Sequence, residues 1–168
     1  MALPQSSTEA LEGGHKIQLE DLFGILGVDT IHDIATAFYD GVYADDEEPW
    51  FRDLFDGRSD KELSIFSQET FFVQRFGGDP MYGGMEKDDD FVEHVHRTVK
   101  MTPRGLRRWM QHMRKALLKA IPDQKFKDAP AIRSLLMDWF WDFGAHMLNS
   151  PDDASTQTPA KAPAEATE

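Results

Sequence analysis

Two histidines stand one residue apart in the stretch Glu93-His94-Val95-His96. Histidine is the commonest protein ligand for metals and the side chain whose charge changes nearest neutral pH. Helical residues two apart point roughly 200° away from one another, so on a helix only one of the pair can face inward. Val92, Val95, His96 and Val99 share a face by their i, i+3, i+4, i+7 spacing, and His94 falls with Asp90 and Arg97 on the other. His96 is therefore the inward imidazole and His94 the solvent-facing one. An inward imidazole either bonds a backbone carbonyl or ligates a metal.

The metal readings differ in how many partners they need. Glu93 to His96 spells Glu-x-x-His, a motif that di-iron carboxylate bundles use on two helices. A second copy is missing, so that site fails on count. A non-haem site built on His94, His112 or His146 lacks a paired ligand at a suitable spacing. A single axial histidine on a haem iron needs no second protein ligand, only apolar walls for the ring. The chain has twelve Phe and four Trp, enough to line such a pocket or simply to fill a core.

Small ligands on such an iron draw electron density outward, so donors on the side opposite the histidine would stabilise them in a dry site. Three polar residues lie on apolar helical faces. Tyr39 shares its face with Ala35, Phe38 and Val42. Gln68 lies on the stripe Ser64, Gln68, Phe71, Phe72. Trp109 stands on an apolar stripe with Leu106, Met110, Met113, Leu117 and Ala120, and its indole N–H wants a partner when buried. Each has a plainer reading as well, since a buried Tyr or Trp most often caps a carbonyl.

The elements that must position these residues are helical throughout, and the fold class is all-α. "IQLEDLFGILG" reads as a short helix ending at Gly27, and residues 30–43 as the next. "PWFRDLF" is a short aromatic turn of helix. Residues 60–76 form a helix opened by Ser59 or Asp60 and closed by Gly77 and Gly78. Residues 79–90 read as a loop, followed by a short helix around 91–98. Thr102 and Pro103 are a helix start, as N-cap and first helical residue, and Pro122 ends that helix. The last helix spans about 130–149 and is apolar on a wide face: Ile132, Leu135, Leu136, Trp139, Phe140, Phe143 and Met147.

The 168 residues suffice for one domain plus tails: a loose arm over 1–15, a domain over 16–150, and a Pro/Ala/Thr/Glu-rich disordered tail over 151–168. A net charge of −12 argues against nucleic acid or an anionic membrane as the main partner. Without cysteine there is no disulfide, thiolate zinc site or iron–sulfur cluster. No secretory signal and no run of about 18 apolar residues occurs, so a cytoplasmic location is expected. The pattern assigns no oligomeric state.

Taken together these residues resemble the group II truncated haemoglobins of plant and algal type. "FYDGVYADDEE" resembles the family's second-helix motif, which implies that Tyr39 bonds the iron ligand. "WFRDLF" resembles the segment whose last aromatic, Phe55, packs on the haem face. "FFVQRFGGDPMY" resembles the distal-helix ending and implies Gln68 as the distal polar residue, Ser64 as the gate, and Phe71 and Phe72 against the porphyrin. "HRTVKMTPRGLRRWMQHM" keeps the thirteen-residue step from proximal histidine to the group's tryptophan, which His96 and Trp109 satisfy and His94 does not. The resemblance runs from about Leu19 to Ser150. It departs where the family has Gly-His-Pro, here "EKDDDF", and where prolines follow the proximal histidine, here the region of Thr98.

The resemblance implies a globin-like two-on-two helical sandwich around one haem b. Dioxygen and other small diatomic gases would be the ligands, with nitric oxide dioxygenation, peroxide chemistry or sulfide binding within its range. Arg75 and Arg97 are candidate partners for the haem propionates. Redox turnover would need an external reductase, because the chain shows no flavin or nicotinamide motif. The alternative from another class is a haemless all-helical module that docks a protein partner through its acidic surface.

Overall fold

The computed structural model describes residues 16–57, 59–81, 92 and 96–152. Among them every regular element is helical. A 3-10 turn, Leu19–Asp21, leads into α1, Leu22–Tyr43, which is broken at Gly27 (φ 73°). The expected pair of helices is thus one kinked helix, divided at the glycine the sequence nominated. The expected inner face of α1 is inside: Ile31, Ile34, Ala35, Phe38 and Val42 are all fully buried.

A short α2, Pro49–Asp53, buries Phe51. Helix α3, Lys61–Arg75, is capped by Asp60 rather than Ser59: the Asp60 carboxylate accepts from the Leu63 amide at 2.7 Å. After α3 the chain turns at Gly77 with φ +90°. A Cβ there would sit 2.0 Å from the Glu20 carbonyl oxygen. Only glycine permits both the left-handed backbone and this approach, which brings the end of α3 against the start of α1, where the Phe23 amide donates to the Phe76 carbonyl at 2.8 Å.

Helix α4, Pro103–Ala120, begins as expected, with the Thr102 hydroxyl accepting from the Gly105 amide at 3.0 Å. Helix α5, Ala129–His146, ends three residues short of the expected 149, just before the last residue of its apolar face, Met147. Helix α1 packs on α3 at one side and on α4 at the other, and α4 packs on α5. The layers are therefore α1 with α3 and α4 with α5. Phe38, Phe51, Phe72, Phe76, Met113 and Leu136 are among the side chains wholly removed from water. Each such burial contributes on the order of 1.5–3 kcal/mol.

Polar ties set how the layers meet. Asp45, buried just beyond α1, accepts from Arg108 Nε at 2.8 Å and Nη2 at 2.6 Å, and from His112 Nε2 at 2.7 Å. The Glu48 amide adds a fourth bond at 3.1 Å. The His112 ring lies parallel to Phe51, with centroids 5.5 Å apart. One carboxylate thus joins the end of α1, the start of α2 and the middle of α4. His112, weighed above as a metal ligand, is committed to this network. Among the described residues no group of three or more His, Asp or Glu could hold a metal ion.

On the other side, His32 of α1 meets Glu69 of α3 at 2.9 Å. The hydrogen bond to Glu69 raises the His32 pKa, against a smaller opposing effect of burial. A raised pKa means that this tie is fully present below the ordinary histidine value and is lost as pH rises through the folded one. With His32 half exposed, it is a surface pair of small weight.

Of the expected C-terminal tail, residues 151 and 152 are placed. The Asp152 carboxylate accepts from the Arg104 amide at 2.7 Å and pairs with Arg107 at 3.2 Å, capping the start of α4 from outside the helix. The rest of that tail, the arm at 1–15 and most of the loop and short helix over 82–95 lie outside the described residues. No described helix is long and apolar enough to cross a membrane.

Candidate functional site

His96 is half-buried and helical, one turn after buried Val92. Its Nδ1–H donates to the Val92 carbonyl at 2.7 Å. That bond fixes both the ring orientation and the tautomer, leaving Nε2 with a free lone pair, the arrangement found in imidazoles that ligate metals. His94, Glu93 and Val95 lie outside the described residues.

The connector from His96 to α4 is clamped by one residue after α5. Asn149 donates from Nδ2 to the Val99 carbonyl at 2.9 Å and accepts at Oδ1 from the Met101 amide at 2.9 Å. Its own amide donates to the Met101 carbonyl at 3.1 Å. Replacing Asn149 with Ala removes the two side-chain bonds and keeps the third. If each is worth about 0.5–1.5 kcal/mol, the pair is worth about 1–3 kcal/mol, and haem transfer from the variant to apomyoglobin is expected to be about five- to a hundredfold faster than from the parent. An unchanged transfer rate would show that the clamp does not govern how His96 is held.

Tyr39, Trp109 and the phenylalanines expected to line the ring converge on one aromatic cluster whose hub is the fully buried Phe38. Its ring meets Tyr39 at 5.2 Å, Phe55 at 6.4 Å and Trp109 at 5.1 Å. Tyr39 and Phe55 also meet edge to face at 6.1 Å. Trp109 then contacts Phe140 at 5.2 Å, and Phe140 contacts Phe72 at 5.3 Å. Phe71 joins at 6.0 Å from Phe72. Tyr39, Phe55, Phe71, Phe72 and Trp109, drawn from α1, α3, α4 and the turn after α2, are thereby brought together. Phe38 and Phe140 read in the sequence only as core. Their position on the buried stripes signalled burial but not that they would bridge the polar candidates.

The polar residues differ in what they are free to do. Gln68 is half-buried, and its Oε1 is sealed from solvent with no hydrogen-bond partner. An amide end left so costs about 1–3 kcal/mol, and a half-turn about χ3 presents either donor or acceptor to whatever enters. The indole N–H of half-buried Trp109 has no hydrogen bond among the described residues. Ser64 is engaged at the start of α3: its hydroxyl donates to the Asp60 carbonyl at 3.1 Å and meets the Ser59 hydroxyl at 2.5 Å. Arg75 lays its guanidinium over Phe71, 5.2 Å from the centroid. Arg97 is exposed, just after His96.

An imidazole with its Nε2 lone pair free, a cluster of aromatic rings and an orphaned buried amide are side chains of the kinds that haem b takes. The bacterial-like globin family model matches residues 21–137. Two-on-two hemoglobin-3 of Arabidopsis thaliana is 42% identical over 101 residues, covering 60% of this chain and 56% of that protein. Group 2 truncated hemoglobin 3-1 of Lotus japonicus is 39% identical over 97 residues, covering 58% and 56%. The matched stretch spans about half the length of these curated relatives.

Among solved structures, a hemoglobin from the thermophilic phototroph Chloroflexus aurantiacus aligns with a TM-score of 0.62 and 29% identity, over 76% of this chain and 97% of that one. The group II truncated hemoglobin from Bacillus anthracis shares the fold at a TM-score of 0.64 and 20% identity, over 83% and 98%. The chain belongs to the bacterial-like globin family, shares its fold with the solved group II truncated hemoglobins, and its cofactor is haem b.

Proposed function

We propose that the protein binds dioxygen and other small diatomic ligands at haem, and that it turns them over in nitric oxide dioxygenase or peroxidase-type chemistry rather than carrying them. The observation that carries this reading is the His96 imidazole, tied through Nδ1–H to the Val92 carbonyl with Nε2 left to coordinate. Haem b supplies an iron with an open position for the ligand and a one-electron couple. The chain supplies the rest. His96 holds the cofactor from the proximal side. Phe55, Phe71 and Phe72 line the ring and exclude water. Tyr39, Gln68 and Trp109 offer a phenol, an amide and an indole as donors to the ligand, and Ser64 stands at the entry. Arg75 and Arg97 are the cations for the propionates.

Donors that strengthen as the ligand gains negative charge slow its release, and slow release suits chemistry or sensing better than transport. Charge-assisted hydrogen bonds are worth about 1.5–3 kcal/mol, so Tyr39→Phe and Gln68→Leu should each speed dioxygen release about tenfold to a hundredfold in flash photolysis or stopped flow. If neither changes the rate, the ligand is not held by these side chains. The first test is simpler. The purified protein should show the strong Soret band of bound haem, moving on addition of carbon monoxide. A protein that stays colourless with added hemin would be the haemless helical module instead.

A further inference from the structure

Helix α4 carries Arg104, Arg107, Arg108, Arg114, Lys115 and Lys119 and no acidic residue, in a chain with 30 acidic and 18 basic side chains. The two halves of the helix use these cations differently. Arg104 pairs with Glu48 at 2.7 Å, Arg107 with Asp152 at 3.2 Å and Arg108 with Asp45 at 2.6 Å. Arg114, Lys115 and Lys119 are exposed and have no ion-pair partner among the described residues. Lys119 lies in the last turn, where the helix dipole favours a cation; Arg114 and Lys115 have no such local reason. They flank Leu118, which is 54% exposed. Arg114 and Leu118 open onto a groove of about 370 Å³ whose far wall is Arg133, Ser134 and Met137 of α5, with Asp138 the one carboxylate lining it. An apolar centre inside a charged rim is the anatomy of a protein interface.

We propose that this strip docks an acidic flavoprotein that delivers single electrons to the haem, an inference that rests on the redox reading above. The charge of the strip selects an acidic partner and steers its approach. A second copy of this chain is a poor occupant. A two-fold pairing of the strip would set Arg114, Lys115 and Lys119 of one copy against the same cations of the other, with Asp138 the one carboxylate in the groove to offset them, and a contact with carboxylates of other helices would run head to tail. Such head-to-tail contact propagates into open chains instead of closing. The helix also joins the docking face to the site, because Trp109 stands on α4 within the aromatic cluster. An α-helix with its side chains is about 10–12 Å across, so a donor on the outer face is separated from the cluster by one helix. In the transfer the reduced flavin loses one electron, ferric iron gains it and becomes ferrous, and no group is passed.

The test uses the haem-loaded full chain with a flavodoxin, an acidic FMN protein, as the probe donor. Reduction of the ferric protein by reduced flavodoxin should slow steeply as salt rises from about 20 to about 300 mM. The variant R114E/K115E/K119E should reduce at least about tenfold more slowly at low salt and lose most of that salt dependence, while its reduction by dithionite is unchanged. Affinity for oxidised flavodoxin, measured by calorimetry where no electron moves, should fall by a similar factor. R114Q/K115Q/K119Q should lie between. Equal rates and affinities in parent and variant would overturn the proposal. So would a parent dimer in sedimentation that the variant loses, or binding of the strip to phosphatidylserine vesicles with flavodoxin ignored. A protein that takes up no haem would defeat the functional reading, and the flavodoxin affinity would still report on the strip by itself.

Discussion

His96→Ala is expected to purify without haem, and His94→Ala to keep it. The difference should be close to all or none, because in the proposed site the bond from His96 would be the directional attachment of the cofactor to the chain. Groups that merely hydrogen-bond a metal ligand already change affinity about 10- to 100-fold, and loss of the ligand itself should exceed that. The Nδ1–H bond to the Val92 carbonyl, 2.7 Å long, means that His96 is presented ready oriented. Exogenous imidazole should accordingly restore part of the Soret band to the His96→Ala protein by entering the space the side chain vacates. The measurement is the Soret absorbance per protein after hemin is added and the excess removed. Haem kept by His96→Ala and lost by His94→Ala would show that the proximal ligand is the other histidine.

Asp45→Ala should be the most damaging single change away from the cofactor. The Asp45 side chain is 1% exposed and His112 6%, so truncation leaves a buried imidazole and the Arg108 guanidinium without their acceptor. Removing one partner of a buried ion pair costs about 3–5 kcal/mol. Arg108 can still reach Glu47, 3.1 Å away, so the lower end is expected, about 3 kcal/mol. Urea unfolding should read this as a shift of midpoint at unchanged slope. A loss below about 1 kcal/mol would mean the network is not what fixes the corner between α1 and α4.

The same carboxylate sets an acid limit. Arg108, first through its two hydrogen bonds, holds the Asp45 carboxyl far below the usual carboxylate range; burial opposes this, and His112 and the Glu48 amide add to it. For a depressed pKa the stabilisation is fully present above the unfolded value, about 3.9, and is lost as pH falls below it toward the folded value. The stability gap between the parent and Asp45→Asn should therefore be constant down to about pH 5 and shrink below about pH 4. A gap that persists unchanged to pH 3 would contradict this.

Periodicity alone was enough to read the helices, their caps and the inner face of α1. Thr102 and Pro103 open α4 as their chemistry dictates, and Gly27 and Gly77 break the chain where a left-handed backbone is needed. These are local matters, in which each residue meets neighbours within one or two turns. The choice of His96 over His94 is an inference of the same kind, since the 3.6-residue repeat separates their faces; His94 lies outside the described residues.

What no local pattern could supply is which distant residues meet. Asp45 looked like one more acid in "YADDEE", yet it accepts from residues 63 and 67 positions away. His112 sat on α4 without a visible partner, because the partner is a side chain beyond the end of another helix. Asn149 falls past the last apolar position and clamps a connector 48 to 50 residues earlier. The amino-acid sequence by itself determined the described helices and their inner faces, and it nominated the imidazole and the aromatic and polar residues proposed for a haem. Tertiary structure alone decided that Phe38 and Phe140 would join that set into one cluster, and which charges of α4 would be spent inside the fold. The physical reason is range: propensity and periodicity act over a few residues, whereas ion pairs, ring contacts and clamps form wherever packing brings two surfaces together.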